Sequence, residues 1–171
     1  MKNRTARRRL VIGLAFLVPI ALFAATNAKF LKQLLFAPNL PGYVKAVPAG
    51  DFAQLDWTQL QQGQWDFKTK PVVPPAVLAQ NGKPVTVRGY LLPLHTPGEA
   101  SQFFVARNPR GCYFCSPPGV AEVVQVNVAG GKLLTPTDWP VSVFGTFKAA
   151  TGQPGEDMLY TIDDAQLKLG K

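Results

Sequence analysis

The chain has 171 residues, of which 47% are hydrophobic and 16% are charged, and its formal net charge is +8. This length suits one ordinary domain, and the low charged fraction argues against a disordered polyelectrolyte. A charge of +8 is typical of proteins that bind nucleic acid or anionic surfaces. However, five of the 18 basic residues precede Leu10, and the rest of the chain has 13 basic against 10 acidic residues. The excess charge therefore lies mainly in the first nine residues and does not indicate a nucleic-acid-binding face.

Residues 1–28 have the pattern of an export signal, with a basic start, an uncharged apolar run from Leu10 to Ala25, and the small residues Thr26 and Ala28 before Lys29. Cleavage before Lys29 is one interpretation. The other is an uncleaved inner-membrane anchor, since residues 10–28 are just long enough to span a bilayer as a helix. Both interpretations place the rest of the chain outside the cytoplasm, in the periplasm, secreted or tethered to the inner membrane.

Residues 29–82 are predicted to form a proline-rich lead-in without long elements, because each proline fixes its own φ and lacks a backbone donor. One short helix is predicted over Asp51 to Leu60, capped by Asp51, with Phe52 and Leu55 among its apolar anchors. Two tryptophans of the lead-in, at 57 and 65, are expected to pack their rings on the domain that follows.

Residues 83–171 are predicted to form a mainly β domain, because short runs with alternating apolar residues are separated by turn signals. Asp163 or Asp164 is expected to cap a final helical turn. Without helices between the strands, the pattern favours a small five-stranded, OB-like antiparallel barrel, whose closure removes exposed strand edges. The predicted strands lie at 85–91, 103–106, 120–128, 141–147 and 158–162.

The only two cysteines, Cys112 and Cys115, have C-x-x-C spacing in a predicted loop between the second and third strands. In an oxidising compartment they are expected to form a disulfide that stiffens the loop. A second interpretation is a thiol–disulfide oxidoreductase, although Pro117 and Pro118 do not favour the helix on which such a nucleophile usually lies. A third is a soft-metal site for Zn²⁺ or Cu(I), and a fourth is a pair of inert thiols.

Two further residues are candidate metal ligands beside the cysteines. His95, the only histidine, lies in the turn at the opposite end of the second predicted strand, which favours a surface role. Glu122 is better placed, because it precedes the third strand on the same parity as Val124 and Val126 and is expected to point inward near the barrel rim. The other interpretation of Glu122 is that its carboxylate caps or hydrogen-bonds a turn.

These motifs resemble a family of short bacterial exported proteins known as a domain of unknown function, over residues 55–165. The matching segments are 56–60, 82–89, 93–94, 112–118 and 141–145. The family's usual loop reads Cys-x-His-x-Pro-Pro, so that Cys115 stands where a histidine is expected. The resemblance implies an OB-like barrel without established enzymatic activity, which accompanies envelope transport systems, including some that take up metal.

The sequence therefore predicts a non-enzymatic exported module that assists an envelope transport or metal-handling system, with an ABC-type transport complex and the inner membrane as partners. A periplasmic thiol–disulfide oxidoreductase that uses Cys112 and Cys115 is the alternative function. An OB-type nucleic-acid binder, with Tyr90 and Phe104 as stacking platforms, is the third class considered. Since an exported chain rarely meets nucleic acid, we expect no nucleic-acid partner.

Overall fold

A computed structural model describes residues 40–93, 98–109 and 118–170 of the chain. Its helices are two single turns, α1 (Trp57–Leu60) and α2 (Pro75–Leu78). Within these ranges no helix has the length and apolar character needed to cross a bilayer. The export segment 1–28, His95 and both cysteines lie outside the described residues. The strands are β1 (Ala53–Gln54), β2 (Pro84–Pro93), β3 (Gln102–Ala106), β4 (Val123–Val128), β5 (Val141–Ala149) and β6 (Tyr160–Leu169).

The strands form one sheet in the order β1-β2-β3-β4-β6-β5, and β2 also pairs with β5. Five strands are therefore joined in a ring of pairings, with the short β1 added in parallel to β2. The mainly β prediction is confirmed, and each of the five predicted strands corresponds to one of β2 to β6. The expected antiparallel arrangement is wrong for one pair of the ring, since β4 and β6 run parallel. In sequence β5 lies between β4 and β6, but in the sheet β6 lies between β4 and β5.

The strand β2 closes the ring by dividing its length between two neighbours. Pro84 to Gly89 pair with β5, whereas Tyr90 to Pro93 pair with β3. At the change of partner, Gly89 lies so close to β3 that a Cβ atom there would overlap the carbonyl oxygen of Ala106. Glycine is therefore required at this point by the close approach of two backbones.

The main hydrophobic core lies on one face of the ring strands. Alternation along β2, β3 and β4 directs Val85, Val87, Phe103, Val105 and Val124 into it, and all five are fully buried. The same core includes Phe147 of β5 and Tyr160 and Ile162 of β6. The period-two pattern in the sequence thus identified the inward faces of β2 and β4 correctly.

The lead-in contributes to this same core. Leu55, Trp57, Leu60 and Val77 are buried in it, and the Leu55 N–H donates to the Thr86 carbonyl at 2.8 Å. The buried Tyr160 hydroxyl donates to the Leu60 carbonyl at 3.0 Å. Residues upstream of the ring are therefore integral to the packing of its strands.

The predicted helix over Asp51 to Leu60 is wrong in its first half. Ala53 and Gln54 add the strand β1 to the edge of β2, because extended backbone there forms sheet hydrogen bonds. The helical turn begins only at Trp57, and its cap is Asp56, whose carboxylate accepts from the Thr58 N–H at 3.0 Å. Hydrogen bonds from Thr58 also lower the pKa of Asp56.

The two tryptophans of the lead-in pack on the β domain, as expected. Trp57 is 8% exposed, and its Nε1–H donates to the Arg88 carbonyl at 2.7 Å. Trp65 is half-buried against the core, and its Nε1–H donates to the Thr69 carbonyl at 2.9 Å. Both rings thus combine apolar packing with a satisfied donor.

The expected helical cap at Asp163 or Asp164 is wrong, because β6 continues through both residues to Leu169. The strand passes them by way of a register shift against β5, and Asp164 has a φ of 50°. Aspartate tolerates this left-handed conformation better than most residues. A bulge of this kind bends the strand without ending it.

Candidate functional site at the foot of the cysteine loop

The loop with the C-x-x-C motif connects β3 to β4. These two strands are paired as far as the residues that directly flank the loop. β3 and β4 are antiparallel, and Ala106 is the register partner of Val123. Residues 107–122 therefore leave and re-enter the sheet at neighbouring positions. This pairing confines the two ends of the loop to one edge of the ring.

The foot of the loop rests on a small apolar cluster that is separate from the main core. Leu92, Ala106 and Val123 are buried there, and Phe104 and Met158 pack against them half-buried. All of them except Met158, which precedes β6, belong to the faces of β2, β3 and β4 opposite to the main core. Phe104 is thus partly covered by its neighbours, which reduces the ring area available for stacking.

Glu122 lies at the end of the loop, immediately before β4. Its side chain is exposed, so the expected inward direction is wrong: the strand begins only at Val123, and strand parity does not apply to the preceding residue. The Glu122 Oε2 accepts from the Gly119 N–H at 3.0 Å, and the Glu122 N–H donates to the Gly119 carbonyl at 2.9 Å. Glu122 therefore forms the turn that leads the loop back into the sheet.

Arg107 occupies the other foot of the loop, immediately after β3. It is exposed, and its Nη1–H donates to the Gln61 Oε1 at 3.2 Å. Gln61 caps the carboxyl end of α1. The first residue of the loop is thus tied to the lead-in by a hydrogen bond between side chains.

A metal site at the loop would have to combine these elements with the cysteines. In the described ranges, no group of three or more histidine, cysteine, aspartate or glutamate residues is arranged to hold a metal ion. Glu122 is the described carboxylate at the loop foot, and its exposure leaves it accessible. A carboxylate oxygen of Glu122 and two cysteine thiolates would together form a mixed oxygen and sulfur ligand set of the kind that Zn²⁺ accepts. The predicted roles of Cys112, Cys115 and Glu122 remain predictions.

A second polar feature lies on the outer surface of β3, β4, β6 and β5. The Asn127 Oδ1 accepts from Gln102 Nε2 at 3.1 Å and from Gln125 Nε2 at 3.3 Å, while the Asn127 Nδ2 donates to the Asp163 Oδ1 at 2.6 Å. Lys148 Nζ lies 2.7 Å from the Asp163 Oδ2. We call this chain of five side chains the polar ladder. It borders a depression of about 260 Å³ beneath the β5–β6 loop.

The protonation of the ladder follows from these contacts. Burial alone raises the pKa of Asp163, but hydrogen bonds from Lys148 and Asn127 lower it more, so that the pKa lies below its usual value. The hydrogen bond and the charge of Asp163 raise the pKa of Lys148. The sequence shows that Gln125 and Asn127 alternate with valines, but it does not show that Asp163 and Lys148 lie beside them, since that requires the β4–β6–β5 order.

No family model and no curated protein matches this chain. A crystal structure of a DUF3299 family protein from Pseudomonas aeruginosa PAO1 is similar to it, with 19% sequence identity and a TM-score of 0.47. The match covers 71% of this chain and 98% of that chain. DUF3299 is a bacterial domain of unknown function.

Proposed function

We propose that this chain is an exported, non-enzymatic OB-like module that assists an envelope transport or metal-handling system through its cysteine loop. The ring of five pairings supports the OB-like barrel, because that fold is a small five-stranded Greek-key barrel. Export is supported by the charge and apolar pattern of residues 1–28. The accessory role follows from the resemblance described above.

The observation that carries the proposal is the pairing of Ala106 with Val123 at the two ends of the loop. It holds the two ends of the loop, with Arg107 at one end and Glu122 at the other, at one edge of the sheet. A loop anchored in this way is suited to binding, because binding residues are often carried on loops that a folded scaffold positions. Glu122, the carboxylate at the end of the loop, is exposed and accepts a hydrogen bond from the Gly119 N–H.

The redox and metal content of the loop can be measured on the full chain purified from the cell envelope. A mass lower by two hydrogens than that of the reduced chain, without metal, would assign a disulfide. Bound zinc or copper that is lost in both Cys112→Ser and Cys115→Ser would assign a metal site. Glu122→Gln tests the third ligand, and Asp164→Asn, which removes a carboxylate from β6 outside the loop, is the charge-matched control.

Two outcomes would overturn the proposal. Free, metal-free thiols would remove the functional role of the loop. Rapid reduction of model disulfides, abolished by Cys112→Ser, would select the oxidoreductase. Fractionation tests export separately: recovery in the cytoplasm would contradict it, and an amino terminus at Lys29 or at Met1 distinguishes cleavage from an anchor.

A further inference from the structure

A short aromatic hairpin in the lead-in exposes apolar and basic side chains together. It spans residues 64–72 and is closed by the bridge between Gln64 and Val72. Phe67 is 52% exposed and Val72 is 60% exposed, although both are large and apolar. Lys68 and Lys70 are exposed on the same hairpin. We refer to residues 64–72 as the aromatic hairpin.

The hairpin holds Phe67 outward by a specific backbone conformation. Phe67 has a φ of 63°, in the left-handed region that bulky residues rarely adopt. Its ring centroid lies 4.5 Å from that of Trp65, so that the exposed ring rests on a half-buried one. Strained residues of this kind persist only where surrounding contacts maintain them, and they concentrate at functional positions.

Asp66 supplies those contacts and is turned back into the hairpin. Its Oδ1 accepts from the Lys68 N–H at 3.0 Å, the Thr69 N–H at 2.9 Å and the Thr69 hydroxyl at 2.7 Å. These hydrogen bonds, first the one from the Thr69 side chain, lower the pKa of Asp66. The carboxylate thus stabilises the turn, and the two lysines extend from the same loop into solvent.

The base of the hairpin continues into an open apolar groove. A depression of about 430 Å³ is bordered by Val72, Val73 and Leu78, with Lys70 at its margin. Leu78, on α2, is 47% exposed. Three of the most exposed large apolar residues in the described ranges, Phe67, Val72 and Leu78, therefore belong to the hairpin and the groove beside it.

We propose that the aromatic hairpin and its groove dock on an anionic phospholipid surface. Aromatic rings are favoured at the level of lipid headgroups, and apolar side chains gain from burial at that boundary. Lysines at the same edge are attracted by the negative surface potential of the lipid. The surface is thus complementary to an anionic membrane in both hydropathy and charge. The inference adds a second contact to any membrane tether in residues 10–28 and depends on neither the cysteines nor the route of export.

The test places a fluorescent reporter at the tip of the hairpin in the full chain. Phe67→Trp is reconstituted with vesicles of phosphatidylglycerol and phosphatidylethanolamine that contain lipids brominated near the headgroup, which quench nearby tryptophan. The matched control is Leu133→Trp, since Leu133 is also apolar and 57% exposed but lies outside the hairpin and groove. Because both variants retain residues 10–28, any tether there acts equally on both.

We expect the tryptophan at position 67 to lose much more fluorescence than that at 133. Replacing phosphatidylglycerol by phosphatidylcholine should reduce this loss, and Lys68→Gln in the Phe67→Trp background should weaken docking by about fivefold, the effect of one lysine at the surface. Equal quenching at both positions, or quenching at 67 that is indifferent to lipid charge and to Lys68, would overturn the proposal. If Phe67→Trp does not fold by circular dichroism, the unmodified chain is compared with Trp65→Phe: loss of the lipid-dependent quenching in Trp65→Phe supports docking, and quenching that persists unchanged through the other two tryptophans overturns it.

Discussion

The two surfaces of the strand ring differ in what they contain. The inward face is filled with apolar and aromatic side chains, and the buried Tyr160 hydroxyl there is hydrogen-bonded to the Leu60 carbonyl. The outward face of β3, β4, β6 and β5 has the polar ladder and, nearer the cysteine loop, the small apolar cluster. The inward residues therefore supply most of the buried apolar area that stabilises the fold, whereas the outward residues contribute hydrogen bonds, one ion pair and a smaller apolar area.

The largest expected difference in stability between the two faces comes from two adjacent phenylalanines that point to opposite sides of β3. Phe103 is fully buried in the main core, and Phe104 is half-buried in the outer cluster. Phe103→Ala should lower the free energy of unfolding by about 3–5 kcal/mol, the range for a large cavity in a core. Phe104→Ala should cost about 1–2 kcal/mol, because less area is lost. Urea denaturation measures both, and equal losses would contradict the division into faces.

The second test asks whether the lead-in is part of the inward core. Trp57→Phe removes a donor to the Arg88 carbonyl as well as buried area, and should destabilise the fold by about 1–3 kcal/mol. Trp65→Phe removes a similar donor at a more exposed site and should cost less than about 1 kcal/mol. Thermal unfolding of the two variants provides the comparison. Identical melting temperatures would argue that the lead-in packs only loosely.

A smaller effect is expected on the outward side, in the loop between β5 and β6. The Glu156 carboxylate accepts from the N–H groups of Thr151, Gly152 and Gln153 at 2.9, 2.6 and 2.8 Å. In Glu156→Gln an amide NH₂ replaces one of the accepting oxygens and faces some of these N–H groups. The substitution should lower the free energy of unfolding by about 1 kcal/mol. Hydrogen exchange should accelerate at Gly152 and Gln153 while the strands stay protected. Faster exchange throughout β5 would instead indicate a global role.

The smallest expected effect concerns acid and the polar ladder. Since the folded pKa of Asp163 lies below its usual 3.8, its contribution is present above about pH 4 and is lost as the pH falls through the folded value. The effect should stay below about 1 kcal/mol, because Lys148 is exposed and screened. Asp163→Asn should therefore flatten the acid limb of a stability–pH curve. Asp164→Asn leaves the bonds of Asp163 to Lys148 and Asn127 intact and should therefore keep the acid limb of the curve. Identical curves for the two variants would contradict a role of Asp163 in acid stability.

Much of the fold was predictable from local pattern. Alternation placed Val85, Val87, Val124 and Val126 on the inward face, and the turn signals separated the five ring strands. The candidate site was predictable only as a motif, because C-x-x-C spacing says nothing of the Ala106–Val123 pair that confines the loop. The direction of Glu122 was mispredicted because strand parity was extended across the boundary of β4. The polar ladder was missed because its members come from four different strands.

The sequence by itself located the five ring strands and the inward faces of β2 and β4, because a two-residue alternation of apolar side chains is a local property. It missed β1 and the second half of β6. It also determined the uneven distribution of charge, with five basic residues ahead of an apolar run and a nearly balanced remainder. The tertiary structure decided which strands are neighbours: the parallel β4–β6 pair, the closure of β2 onto β5, and the addition of β1 to β2. Each of these depends on contacts between residues distant in the chain. Such contacts form only when the ring closes as a whole, and no local pattern encodes them.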